Sequence, residues 1–169
     1  MKEIRKDLFE CILDSEVDAI CITTNGHYTS DGSAIMGGGC AAEAARRWIK
    51  MPETLGKLLK TSGKNIPFII GAVDANGDAI DIKSSNVKCL IFSFPTIDNL
   101  MFGSDIDLIK NSCDIMNKYA KQYNLKKIAS VRFGSGIGGL DWYTEVKPVV
   151  ENILDDRFII CCQENDELR

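Results

Sequence analysis

Apolar positions change period several times along the chain. Asp18-Ala19-Ile20-Cys21-Ile22-Thr23 is short, apolar and rich in β-branched residues, and it stops at Asn25-Gly26. It reads as a buried strand followed by a turn. The alanine-rich stretch from Cys40 to Lys50 follows Gly37-Gly38-Gly39 and reads as a helix. Pro52 suits the first turn of a second helix carrying Leu55, Leu58 and Leu59, and Gly63 suits its end. Ile66 to Val73 and Ala79 to Ile82 are strand-like runs on either side of Asp74-Ala75-Asn76-Gly77, and the Asn-Gly pair predicts a tight hairpin between them. Val87 to Phe94 is a third run of the same kind.

Ile106, Ile109, Cys113, Met116, Ala120 and Tyr123 then recur at alternating spacings of three and four. That spacing predicts one apolar face of a long helix, with Ser104 or Asp105 as its cap. Lys127 to Arg132 reads as a strand and Phe133 to Leu140 as a loop. Val146, Val149, Val150 and Ile153 mark a helix that accepts Pro148 in its first turn if Thr144 caps it. Arg157 to Cys162 closes the chain as a strand. Helices alternate with strands around one central hairpin, so the expected fold is α/β, a three-layer α/β/α sandwich with a mixed central sheet. No repeat, low-complexity stretch or linker divides residues 1–169, which are expected to form one domain. In such folds ligands bind at the carboxyl ends of the strands, where both glycine clusters fall.

Composition narrows the function. A length of 169 residues with 45% apolar side chains suffices for one sizeable core. No run of about eighteen apolar residues occurs, so no membrane span is expected. Met1-Lys2-Glu3-Ile4-Arg5-Lys6 lacks the apolar stretch of a signal peptide, which points to the cytoplasm. Seven cysteines are scattered through apolar runs without a Cys-x-x-Cys pair, and His27 is the one histidine. Buried reduced thiols are expected, with no zinc site and no other cofactor. The net charge is -4 and basic residues are dispersed, so strong non-specific binding to nucleic acid is not expected. An anion would have to be held by backbone dipoles.

Gly134-Ser135-Gly136-Ile137-Gly138-Gly139 supplies such dipoles. Four glycines in six residues, placed between a strand and a helix start, can aim successive N–H groups at one phosphate. The alternative is a flexible connector. The run matches Gly-x-Gly-x-x-Gly, yet about thirty residues remain after it, too few for the parallel sheet that a dinucleotide fingerprint opens. Phe133 stands where a nucleophile elbow needs its first glycine. Gly37-Gly38-Gly39 lacks the Gly-Lys-Ser/Thr of a Walker A loop.

Taken in order, the pieces resemble the macro domain family. Asp18 to Asn25, followed by Met36-Gly37-Gly38-Gly39-Cys40-Ala41, resembles the family's "DAIVNTxN" strand and first ligand loop. Lys6-Asp7-Leu8-Phe9 resembles its "GD-(I/L)" segment, with Lys6 in place of the glycine. Ser93-Phe94-Pro95-Thr96 resembles the end of a central strand. Gly134 to Trp142 resembles a second ligand loop of the "GCGxGGLDW" type. Val146-Lys147-Pro148 and Leu154-Asp155-Asp156-Arg157-Phe158 continue one subgroup's pattern.

The resemblance implies a binder of ADP-ribose, or of an ADP-ribosylated macromolecule. Asp7 would accept from the adenine amino group, with Leu8 beside the ring. Asn25 would contact the distal ribose, approached by Gly37, Gly38, Gly39 and Cys40. Amides from Gly134 through Ser135, Gly136, Ile137, Gly138 and Gly139 would hold the diphosphate. The resemblance also implies hydrolysis of an ADP-ribose adduct, either an ADP-ribosylated target or ADP-ribose 1″-phosphate, with Asn25 and a water acting beside Asp141 or His27. A non-catalytic reader is the alternative. Some hydrolytic relatives carry an acid where Gly138 and Gly139 stand, and one subgroup carries a lysine where Ile97 stands. The residues also allow local roles: Asp7 as the cap of a short helix over Leu8 to Leu13, Asn25 as a turn residue, Asp141 as a brace of its loop, and His27 as a loop residue.

Overall fold

A central sheet of six strands organises the chain. The computed structural model describes residues 1–14 and 16–169. Its strands are β1 (Lys2–Arg5), β2 (Ala19–Asn25), β3 (Ile69–Val73), β4 (Cys89–Ile97), β5 (Ile128–Val131) and β6 (Phe158–Cys162), in spatial order β1-β6-β5-β2-β4-β3. Every neighbouring pair is parallel except β3 with β4. β2 lies near the middle, with Ala19 opposite Leu90 of β4 and Ile128 of β5. It is covered on both faces, which is why it reads as a continuous apolar run.

The period-two geometry of these strands divides the core into two layers. Ile20 and Ile22 of β2, Ile91 of β4 and Cys161 of β6 face helices α1 (Gly39–Arg47) and α2 (Met51–Ser62). Ala19 and Cys21, Phe92 and Phe94, and Phe158 and Ile160 face α3 (Ile106–Gln122) and α4 (Lys147–Val150). The fold is therefore a sandwich with helices on both faces of a mixed sheet.

Most helix signals hold. Pro52 sits in the first turn of α2, and Gly63 closes it at φ +65°, donating its N–H to Leu59 at 3.0 Å. Asp105, rather than Ser104, caps α3: its Oδ1 accepts from the N–H of Asp107 at 2.8 Å and Leu108 at 3.3 Å. Ile109, Cys113, Met116 and Ala120 are buried as their spacing requires, while Tyr123 ends half out of the core. α1 stops at Arg47, short of Lys50, because Met51 opens a new helix.

Two expectations are corrected, and one strand was not expected. Ala79 to Ile82 is not a strand, and meets β3 only at the single bridge Val73–Ala79. The turn at Asp74–Gly77 forms, but Val73 pairs with Cys89 of β4 instead. β4 has apolar side chains for both layers, whereas Ile82 stays half exposed and has no core to enter. Next, the helix near Val146 is not capped by Thr144. Asp141 caps a π-helical turn, Trp142–Val146, and α4 adds only four residues. Trp142 and Val146 both bury, which draws the turn in earlier than Pro148 suggests. Finally, β1 carries no strand signal: Ile4 is the one apolar residue among the four of this edge strand, paired only with β6.

Candidate functional site

Parallel strands place their carboxyl ends on one edge of the sheet. β1, β2, β4 and β5 all run the same way, so the segments that follow them emerge together. These are Lys6-Asp7-Leu8, the loop 26–38, the segment 98–105 and the loop 132–141. The sheet thus gathers both glycine clusters and Asp7 on the edge that the sequence pattern favours.

The first loop is tied down by the residue that starts it. Oδ1 of Asn25 accepts from the N–H of His27 at 2.9 Å, and its Nδ2 donates to Ile35 O at 2.9 Å. This side chain, together with the backbone bond from Ile35 N–H to His27 O at 3.0 Å, closes a loop of ten residues and steers the chain toward Gly37. Gly37 and Gly39 have nothing within 4 Å in the direction of a side chain, and Gly39 sits at φ +55°. Cys40, the second residue of α1, lies beside β2, with its thiol 3.1 Å from the Thr23 hydroxyl. Burial pushes that thiol's pKa up.

The second loop meets the first. A β-carbon on Gly38 would collide with Cδ1 of Ile137, so the two glycine clusters are in contact. Within the second loop the glycines divide by neighbour. Gly134 (φ +69°) and Gly138 pack against Ser104, and Gly138 O accepts the N–H of Ser104 at 3.0 Å. Gly136 and Gly139 have open space where a side chain would point. Ser135 donates to Arg132 O at 3.4 Å, and Ile137 is 78% exposed above Gly38.

Both feet of this loop are held by one carboxylate from the other end of the chain. Oε1 of Glu3 accepts from Arg132 Nε at 3.2 Å and from Trp142 Nε1 at 2.9 Å, and its Oε2 pairs with Lys147 Nζ at 2.7 Å. The Glu3 side chain is only 9% exposed and that of Arg132 11%. Arg132 precedes the loop and Trp142 follows it, so Glu3 fixes the loop's span. Sequence reasoning missed this residue, because nothing near Glu3 signals a partner more than a hundred positions away.

The remaining candidates are placed as follows. Asp7 is exposed, and its Oδ1 accepts from the N–H of Phe9 at 2.8 Å and Glu10 at 3.3 Å, so it starts the 3-10 turn Phe9–Leu13. Leu8 is buried in the α1–α2 layer, leaving only its backbone toward the edge. Asp141 is exposed, and its Oδ1 accepts from both the N–H and the hydroxyl of Thr144 at 2.8 Å. Those bonds hold its pKa below the usual carboxylate value, so it is ionised at neutral pH. Nε2 of His27 is buried with no hydrogen-bond partner among the described residues.

All seven cysteines are free thiols, six buried and Cys40 half-buried. Burial pushes Cys89 and Cys113 up to about 12. Among the described residues no group of three or more His, Cys, Asp or Glu side chains could hold a metal ion. No helix among them is long and apolar enough to cross a membrane.

No protein-family model matches the sequence, and no curated protein matches it either. Solved structures do match. The chain superposes on the Thermus aquaticus DarG macrodomain with a TM-score of 0.69 at 22% identity, over 96% of this chain and 97% of that one. The fold is that of a macro domain. The macrodomain of Mycobacterium tuberculosis DarG gives a TM-score of 0.67 at 22% identity, over 95% of each chain. Thermosipho africanus DarTG, solved in complex with ADP-ribose, gives 0.77 at 18% identity over 99% of this chain. This chain spans 42% of the Thermosipho chain's length. On this fold the two glycine loops, Asp7 and the segment 98–105 share one edge.

Proposed function

We propose that this macro domain binds ADP-ribose, free or attached to a macromolecule, across the edge formed by Asp7 and the two glycine loops. The observation that carries this reading is the contact of Gly38 with Ile137, which joins two loops whose outward glycines leave backbone bare. Gly136 and Gly139 would bring N–H groups against the diphosphate without any lysine, as a chain of charge -4 requires. Asp7 keeps Oδ2 free for the adenine amino group, since its two backbone bonds both use Oδ1. The Thermosipho DarTG structure, part of which shares this fold and which was solved in complex with ADP-ribose, supports the ligand class.

Calorimetry tests this. ADP-ribose should bind at least tenfold more tightly than AMP, because only the longer ligand reaches both loops. Equal affinities would remove the first loop and Asn25 from the site.

Hydrolysis of an ADP-ribose adduct is the second reading, and Asp141 is the observation that favours it. An exposed carboxylate beside the second loop is the group placed to take a proton from a water at the distal ribose, although the bonds that lower its pKa make it a weaker base. Against it, Oδ1 of Asp141 is engaged by Thr144, and both ends of the Asn25 amide are engaged by the first loop. Incubation with ADP-ribosylated peptide and with ADP-ribose 1″-phosphate, followed by product analysis, separates enzyme from reader. Binding without product assigns the reader.

A further inference from the structure

Between the turn after β4 and the start of α4 lies an open depression of about 700 Å³ that the reading above does not use. Ile106, Leu140 and Val149 line it with apolar surface, and Phe102 stands at its rim. Phe102 is 81% exposed and its neighbour Met101 86%. Neither is a loose tail. Asn99 folds the turn, accepting the N–H of Met101 on Oδ1 at 2.9 Å and that of Phe102 on its carbonyl at 3.0 Å. The turn thus holds a phenyl ring in water, where it has no core to complete.

The polar part of the lining has one sign. Asp98, Asp105 and Glu145 border the depression. Each accepts only from neutral donors: Asp98 from Asn65 Nδ2 at 3.4 Å, Asp105 from two α3 amides, and Glu145 from the Asp141 N–H at 2.6 Å. Among the described residues none of the three is within ion-pairing distance of a lysine or arginine. An apolar floor, an exposed ring and unneutralised carboxylates together complement a planar cation with an apolar stem. A guanidinium stacks on an aromatic face and binds carboxylates in a fork, which a compact ammonium does less well. A nucleic-acid strand would meet three like charges here.

We infer that this depression docks an arginine-bearing segment of a partner protein. Ser104 belongs to its lining and donates its N–H to Gly138 of the second loop at 3.0 Å, so a segment seated there lies beside the ligand loops. That the docked segment flanks an ADP-ribosylated residue rests on the reading above. The groove itself does not.

The test uses the whole chain and a fluorescein-labelled nonapeptide with one central arginine among serine and leucine, read by fluorescence anisotropy. The arginine peptide should bind at least tenfold more tightly than the same peptide with citrulline, and its affinity should fall as salt is raised. Phe102→Ser, and separately the pair Asp98→Asn with Glu145→Gln, should each weaken it at least tenfold. Neither should change ADP-ribose affinity. Asn and Gln keep the carbonyl acceptors that Asn65 and Asp141 use, so the turn stays folded. Equal binding of the citrulline peptide, undetectable binding of either, unaffected variants, or tighter binding of a thymidine decanucleotide would each overturn the inference. If the peptide binds as expected and ADP-ribose does not bind, the groove stands and the ADP-ribose reading falls.

Discussion

The two glycine loops meet at Gly38 and Ile137 but are built by opposite means. The first is closed by its own opening residue: Asn25 bonds to His27 and Ile35, at most ten positions away. The second is closed from a distance, by Glu3 reaching Arg132 and Trp142 across 129 and 139 positions. A local clamp forms once the loop forms. A remote clamp exists only when β1 has paired with β6 and the sheet is complete. The second loop, though Leu140 N–H bonds to Gly134 O within it, therefore needs the whole fold to fix its feet. The first is held mainly by the Asn25 amide and its own backbone bonds, Ile35 N–H to His27 O and Thr29 N–H to Ser33 O. The difference also separates glycines that pack from glycines that leave backbone open, since Gly134 and Gly138 lie against Ser104 and Gly136 and Gly139 do not.

Removing the remote clamp should produce the largest effect. Glu3→Ala leaves Arg132 and Lys147 without their shared carboxylate in a nearly closed environment. Breaking one side of such a buried network costs about 3 kcal/mol. At this chain length that lowers the melting temperature by roughly 6–12 °C. ADP-ribose affinity should fall with it, because the loop loses the carboxylate that joins its two feet. A melting temperature within about 2 °C of the parent would show that Arg132's other partners, Asp166 and Tyr143, and the loop's own bonds suffice without Glu3.

The next test separates the two kinds of glycine within one loop. Gly138→Ala puts a methyl group into the Ser104 side chain and the backbone of Gly134, so it should cost about 1–3 kcal/mol of stability. Gly136→Val meets nothing within 4 Å, and Gly136 is not among the glycines held at positive φ. Its melting temperature should stay close to the parent's, while ADP-ribose affinity drops at least tenfold. The pair is informative together: a stable Gly136→Val variant with full affinity would take the second loop out of the site. A Gly138→Ala variant as stable as the parent would show that the loop is not packed as described.

What could be read from the sequence follows the same divide between near and far. The 3-4 spacing over Ile106 to Ala120, Pro52 and Gly63 around α2, and the run ending at Asn25 all act within a few residues, and all hold. The Asn-Gly turn at Asn76-Gly77 also forms, but the partner of β3 is chosen by burial, and Cys89 to Ile97 outcompetes the polar-flanked Ala79 to Ile82. β1 was illegible because an edge strand with charged residues at three of its four positions has no apolar period of its own. The glycine clusters were visible as a site, yet not which of their glycines were structural. That distinction lies in Ser104, a residue whose neighbour Asp105 carries the only local signal, a helix cap.

Asp141 offers the smallest effect and the sharpest question, whether it braces the second loop or serves as a base. It caps the turn after that loop, and the Thr144 bonds lower its pKa in the folded chain. A lowered folded pKa means that its stabilisation is present above the unfolded value, near 3.8, and is lost as pH falls through the folded value. Asp141→Ala should therefore melt slightly below the parent at pH 7, with the gap shrinking below about pH 4. A gap that is the same at both pH values would mean that the cap does not act through the carboxylate's charge. Asp141→Asn keeps an oxygen for Thr144 but not the charge, so at pH 7 it should melt between Asp141→Ala and the parent. That variant removes the base without removing the brace. If the parent releases ADP-ribose from a modified peptide, a large loss of turnover in Asp141→Asn at unchanged affinity, well below both melting temperatures, assigns the carboxylate to the reaction. Unchanged turnover leaves Asp141 as a cap and returns the chemistry to the first loop.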